Sequence, residues 1–246
     1  MSTEAVDAED LADAGRASAL HARVTAIVRD ADAEVAQMLD RIPHVTENKE
    51  LLERRRASII AAAYEEFSSG GFHRTSVSDV ARRAGIDKRT LYDYVADKED
   101  ILYLLYLHHL SNQVRLLGAS VTPHDPPDRQ LRNLMGAHLD HIASHEALAL
   151  LTYREMRNLD RARITNCLYL IECIMRMYDA VIEWGVDEGV LRADSPRIAG
   201  HAVRAALDMP GLAGWDLRRF SRGEVLRGLS DLLLHGLVVP GRGADD

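Results

Sequence analysis

The chain has 246 residues, 47% hydrophobic and 28% charged, the balance of a folded globular protein with room for one larger and one smaller domain. That composition excludes a disordered chain, and the net charge of −8 excludes nonspecific capture of nucleic acid by the protein as a whole. Charge therefore has to be read by segment. Residues 1–48 hold four Arg against ten Asp/Glu, whereas residues 49–98 hold ten Lys/Arg against eight Asp/Glu and are the only positive segment. The N-terminus is acidic and lacks an apolar signal core, and no apolar run of 18 residues occurs. A cytoplasmic protein without a membrane span is expected. Cys167 and Cys173 lie six apart in an apolar stretch. They read as small core residues in a reducing compartment, not as a disulfide framework or a metal clip.

Helical periodicity dominates, and no alternating strand or Asn-Gly hairpin signal is found, so the fold class is all-α. Residues 1–15, acidic and Ala-rich, predict a frayed start. Leu20, Val24, Ile27, Val28, Val35, Met38, Leu39 and Ile42 repeat at three and four residues. They form one stripe on a helix over 20–42, which Pro43 stops. Such a helix is marginal alone in water, so it should dock on its own body or on a partner.

Residues 49–98 read as three helices. The first carries Ile59, Ile60, Ala63, Tyr64 and Phe67 on one face, and Gly70-Gly71 ends it. The second starts at Thr75-Ser76, where Ser76 with Asp79 fits a capping box, and buries Val77, Val80, Ala81 and Ala84. Gly85 turns the chain and Asp87 caps the third. In that short helix Leu91 and Val95 face inward, leaving Lys88, Arg89, Tyr92, Asp93 and Tyr94 outside. A short helix behind a Gly turn, with polar and aromatic groups outward, is what a major-groove recognition helix requires.

Beyond 98, a long apolar stretch over 101–117 breaks at Pro123, Pro126 and Pro127. Helices follow at 128–145, 147–158 and 161–188. Another runs from Ser195-Pro196, with Pro at its first position, to Met209. Pro210, Gly211 and Gly214 predict a loop, and a last helix covers 222–238, with Val225, Leu229, Leu233 and Leu237 four apart.

The string Arg56, Ile59, Ala62-Ala63, Phe67, Gly71-Phe72, Thr75-Ser76-Val77, Val80-Ala81, Ala84-Gly85-Ile86, Thr90-Leu91-Tyr92, Tyr94, Lys98-Glu99 and Leu102 resembles the N-terminal domain of the tetracycline-repressor (TetR) family, without a gap. Asp87, Val95 and Asp93 depart from the usual pattern, which bears on the operator sequence and not on the fold. Charge and periodicity set apart an acidic extension over 1–48, and the resemblance implies a helix-turn-helix DNA-binding domain over 49–98 and a helical ligand-binding and dimerisation domain over 99–246. It implies that Thr75, Tyr92, Tyr94 and Lys98, with Ser76 beside them, contact phosphates and fix register. Lys88, Arg89 and Thr90 stand where base edges are reached, and an Arg can pair bidentately with guanine.

Two further stretches, Tyr153-Arg154-Glu155-Met156-Arg157-Asn158-Leu159 and Leu234-His235-Gly236-Leu237, look similar to a TetR subgroup that often senses acyl-CoA thioesters. An apolar pocket from Met156, Leu168, Tyr169, Ile171, Met175 and Trp184 is expected. Tyr153, Arg154, Arg157 and Arg176 are the candidates for the effector's polar and anionic groups. The last two helices should pair with their copies in a homodimer that matches a palindromic operator.

His138, His141 and His145 share a helix face, but His145-Glu146 is followed by Ala149 and not by the His of a zinc-protease signature. A polar wall or solvated face is the better reading, and no metal, cofactor or catalytic residue is assigned. No nucleophile elbow, P-loop or dinucleotide fingerprint appears. The rival readings are a ligand-binding module that no longer reads DNA, its basic face covered by residues 1–48, and an all-α metal-dependent enzyme.

Overall fold

The computed structural model describes residues 3–212, 217 and 219–237, with side chains from residue 15 onward except those of Arg222 and His235. The order is α1 (Thr3–Asp40), α2 (Lys49–Gly70), α3 (Val77–Arg83), α4 (Lys88–Tyr92), α5 (Lys98–Ser120), α6 (Pro127–Ser144), α7 (Glu146–Glu155), a 3-10 turn (Met156–Asn158), α8 (Arg161–Asp187), α9 (Pro196–Leu212) and α10 (Arg222–Leu237). None of these helices is long and apolar enough to cross a membrane.

Two expected boundaries move. The first helix begins at Thr3 and not near 20, because the residues expected to fray are rich in Ala, the strongest helix former. Pro210 lies inside α9, which ends at Leu212. A proline so close to the end gives up only its own N–H bond, so the last turn survives where a mid-helix proline would break it. Gly214 and Val238, expected in the following loop and at the final helix end, lie outside the described residues.

The chain divides into two compact units that cut across the linear division read from the sequence. One comprises Met1–Asp30, Gln113–Glu146 and Glu172–Asp246; the other comprises Ala31–Asn112 and Ala147–Ile171. The long helices α1, α5 and α8 each supply residues to both.

In the first unit α6 packs along α9, and α10 packs on both. Cys173 of α8 is buried here. The first part of α1 buries Ala17, Leu20, Val24 and Ile27, so its apolar stripe is docked on the chain itself. His21 Nδ1 donates to the Val121 carbonyl at 2.8 Å. Gly118 is required there, since a Cβ would overlap Val28 Cγ2. Gly118→Ala should therefore cost about 1–2 kcal/mol, the overpacking penalty exceeding the gain of about 1 kcal/mol in helix propensity. Combining it with Val28→Ala should recover most of that loss. Urea denaturation of the four members of the cycle checks this, and strictly additive losses would refute the close approach.

In the second unit the first half of α5 is buried on every side, Ile101 to Leu107 without exception, which makes it the central helix. Tyr106 Oη donates to the Leu151 carbonyl at 2.9 Å, and Asn166 Nδ2 donates to Tyr103 Oη at 2.7 Å. Arg163 pairs with the buried Asp100. Cys167 is buried and free, and burial pushes its thiol up to about 12, out of reach of redox chemistry at neutral pH.

Candidate nucleic-acid interface

The interface is built in the second unit by α2, α3 and α4. Asn48 caps α2, whose buried side holds Arg56, Ile59, Ala62, Ala63 and Phe67. Gly71, at φ 79°, ends it with an N–H bond to the Phe67 carbonyl. Phe72 then returns edge-on to Phe67, ring centroids 5.3 Å apart. The Thr75 side chain is buried, its hydroxyl within 3.1 Å of the Glu66 carbonyl and 3.0 Å of the Gly71 carbonyl. Lys98 Nζ donates to the carbonyls of Phe72 (3.0 Å) and Thr75 (3.2 Å) and stands 4.4 Å from the Phe72 ring centroid. Thr75 and Lys98, expected to face phosphates, thus spend their polar groups on the turn that leads into α3.

Ser76 caps α3 through the full reciprocal capping box with Asp79. The Ser76 hydroxyl and N–H, with Arg82, hold the Asp79 carboxyl down at about 2, so the cap stays charged at any physiological pH. Val80 and Ala81 are the buried pair, and Arg83 binds Glu66 of α2 at 2.5 Å. Gly85, at φ 70°, makes the turn. That left-handed backbone is strained for any residue with a side chain. Asp87 caps α4, accepting the Thr90 N–H and the Thr90 hydroxyl, both at 2.8 Å.

Only five residues form α4. Leu91 is fully buried beneath it, while Lys88, Arg89 and Tyr92 are exposed. Lys88 Nζ stands 5.9 Å from the Tyr92 ring centroid. Tyr94 corrects the expectation: it is 5% exposed, not outward. The helix ends at Tyr92, so the helical period no longer applies and the ring turns into the core beside Val95. The Asp93 carbonyl at this end accepts the Val45 N–H at 2.9 Å. Arg56, buried and bonded to the Ile42 carbonyl at 3.1 Å, holds the same linker from the other side. The support of the recognition helix by residues 42–45 was not readable from the sequence, because nothing local marks a backbone bond between residues so far apart in the chain.

Tyr153, Arg154 and Arg157 are exposed and Tyr169 is half-buried, all four in the second unit. Arg176 and Trp184 belong to the first. Arg176 is exposed; Trp184 donates its indole N–H to Glu188 at 3.1 Å and lines a shallow pocket of about 250 Å3 with Arg16, Leu20, Arg23 and Ala180. Leu168, read as pocket wall, is exposed. A polar cluster in the first unit was missed. There the buried His138 meets Gln113, Tyr178 and Asp208, each at 3.0 Å, and Arg204 meets Asp208 at 3.4 Å.

Residues 59–103 match the family described as bacterial regulatory proteins, tetR family, and residues 124–210 match the tetracyclin repressor-like C-terminal domain, together more than half of the chain. The chain belongs to the tetR family. This TetR regulator is 26% identical over 153 residues to the fatty acid metabolism regulator protein of Bacillus subtilis, spanning 61% of this chain and 78% of that one. Its fold matches the TetR family transcriptional regulator PfmR of Thermus thermophilus with a TM-score of 0.63 at 28% identity, covering 72% of this chain and 97% of that one. It also matches FadR of Bacillus subtilis, solved in complex with stearoyl-CoA, with a TM-score of 0.65 at 21% identity, over 73% and 98% of the two chains. The TetR chain is accordingly a transcriptional regulator whose helix-turn-helix is α3–α4.

Proposed function

We propose that this regulator binds a palindromic operator as a homodimer and is released from it by a CoA thioester. The observation that carries the DNA reading is the outward set Lys88, Arg89 and Tyr92, on a five-residue helix held from beneath by Leu91 and capped by Asp87. In the major groove Lys88 and Arg89 reach base edges, Arg89 in bidentate contact with guanine, while Ser76 and Tyr92 meet phosphates. Thr75, Thr90, Tyr94 and Lys98 keep those groups in place. The stearoyl-CoA complex of FadR and the fatty acid metabolism regulator named above support the effector class. Dimerisation is supported by the outer sides of α9 and α10, where Ile198 and Leu232 are each 71% exposed and Ala202, Ala205, Met209 and Gly228 are exposed with them. The thioester acts only through its different affinity for the operator-competent and operator-free conformations.

The test is fluorescence anisotropy with the DNA flanking the protein's own gene, at several salt concentrations, with a panel of acyl-CoAs of increasing chain length. Three or four phosphates neutralised per subunit give a log–log salt slope of roughly −5 to −7. Arg89→Ala should relax preference at one base pair by about 1–3 kcal/mol, whereas Tyr92→Ala should weaken all sequences alike. A uniform loss for Arg89→Ala would reassign it to the backbone, and specific binding that no thioester releases would remove the CoA effector.

A further inference from the structure

The three arginines that the sequence offers to an effector's anion or leaves unassigned, Arg154, Arg157 and Arg161, belong to a segment tied to the turn before α3 and to the start of α5. We propose that they form a second phosphate-binding surface that grips the operator backbone outside the helix-turn-helix, an inference that rests on the operator reading above.

Both ends of the segment 155–163 are tied to the turn between α2 and α3 and to the start of α5. Glu155 Oε2 lies 3.1 Å from Nε2 of His73, two residues before Thr75 and three before the cap of α3. Arg163 reaches Asp97 at 4.0 Å and pairs with Asp100, on either side of Lys98, whose ammonium binds the Thr75 carbonyl. The segment therefore runs alongside the turn that precedes α3 and the start of α5.

Its charges are sorted. The carboxylate of Glu155 is engaged by His73 and by the Asn158 amide at 2.7 Å. Asp160 is engaged by the Arg163 N–H at 2.9 Å and the Arg163 guanidinium at 3.4 Å. Arg154, Arg157 and Arg161 are exposed, with no ion pair among the described residues, and Tyr153 beside them is 65% exposed. Three unneutralised guanidiniums next to a DNA-facing turn suit phosphate oxygens, which Arg binds bidentately. A free phosphate, such as that of a CoA, would satisfy the same chemistry, and the experiment separates the two sources.

The test compares the full-length protein with Arg154→Ala/Arg157→Ala/Arg161→Ala and with the triple Lys variant, by anisotropy on operator and on scrambled duplex across salt. Each phosphate that a side chain neutralises contributes about 0.9 to the slope, and a dimer presents every side chain twice. The Ala variant should lose on the order of two or more in slope, and about tenfold or more in affinity at low salt, on both duplexes alike. Base preference should stay intact and the Lys variant should restore the slope. All three positions are exposed, so thermal melting should be unchanged. A wild-type slope in the Ala variant overturns the proposal. If that variant also loses release by acyl-CoA, the arginines hold the free ligand's phosphate. Absence of salt-dependent DNA binding by the wild type overturns the operator reading and this inference together, whereas normal operator binding with an unchanged slope overturns this inference alone.

Discussion

Arg163→Met is expected to lose about 3–5 kcal/mol of stability at neutral pH and to regain much of it on acidification. Asp100 is 1% exposed, accepts the Ala96 N–H at 2.8 Å and is compensated by direct pairing with Arg163 and by the charge of the buried Arg56. Burial already raises its carboxyl above the ordinary value, against the opposing pulls of the Ala96 N–H and Arg163. A carboxyl raised in the folded state favours folding fully below its unfolded value, and that advantage is lost as pH rises through the folded value. Removing Arg163 pushes the folded value higher still, so the variant is penalised most at neutral pH and least where Asp100 is protonated. Urea denaturation at neutral and acid pH reads the difference. A loss independent of pH would mean that the aliphatic stem of Arg163, not its charge, carries the effect. Adding Asp100→Asn should recover stability at neutral pH if the orphaned charge is the cause.

The second large effect is expected at His138. His138→Leu should cost about 2–4 kcal/mol, or roughly 5–15 °C in Tm for a chain of this size. His138 is fully buried, with Nδ1 at Tyr178 Oη and Nε2 at Asp208 Oδ1. With Nε2–H donating to Asp208 and Nδ1 accepting the Tyr178 hydroxyl proton these two partners are satisfied, and the Gln113 amide at the same Nε2 then has no acceptor there. Leucine deprives both partners at once, and the Tyr178 hydroxyl, already raised well above its usual range by burial, cannot answer by ionising. Among the described residues Asp208 would keep only Arg204, at 3.4 Å. Replacing the whole set, Gln113, His138 and Asp208 with apolar residues together with Tyr178→Phe and Arg204→Met, should restore much of the loss, since a dry cluster is costly when half-satisfied and not when removed. Differential scanning calorimetry of the single and fivefold variants decides. A single variant as stable as the parent would show that the cluster adds nothing to stability.

What could be read in the sequence was short-range. The Ser76–Asp79 box, the Asp87 cap and the positive-φ glycines at 71 and 85 are written within three or four residues of one another, so residue type alone predicts their geometry. The α1 stripe was legible for the same reason, since its period is local. Tyr94 was misread because periodicity carries no mark of where a five-residue helix stops. The carbonyl bonds of Lys98 could not be foreseen because its partners, Phe72 and Thr75, are 26 and 23 residues away. His138, Gln113, Tyr178 and Asp208 were not grouped because 25 to 70 residues separate them. The histidine repeat was visible, but spacing cannot tell a ligand from a hydrogen-bonded core residue. Arg154 and Arg157 were read by charge alone, and the Glu155–His73 and Arg163–Asp100 pairs reveal which part of the chain they accompany.

The shortness of α4 has an evolutionary consequence. The groups that hold this helix, Leu91, Val95, the Asp87 cap and the Gly85 turn, are distinct from the groups it displays, Lys88, Arg89 and Tyr92. Exposed positions of this kind tolerate exchange with changes of only about ±0.5 kcal/mol in stability. Duplicated copies of such a gene can therefore diverge to new operators by trading two or three surface residues, with no compensating change in the core.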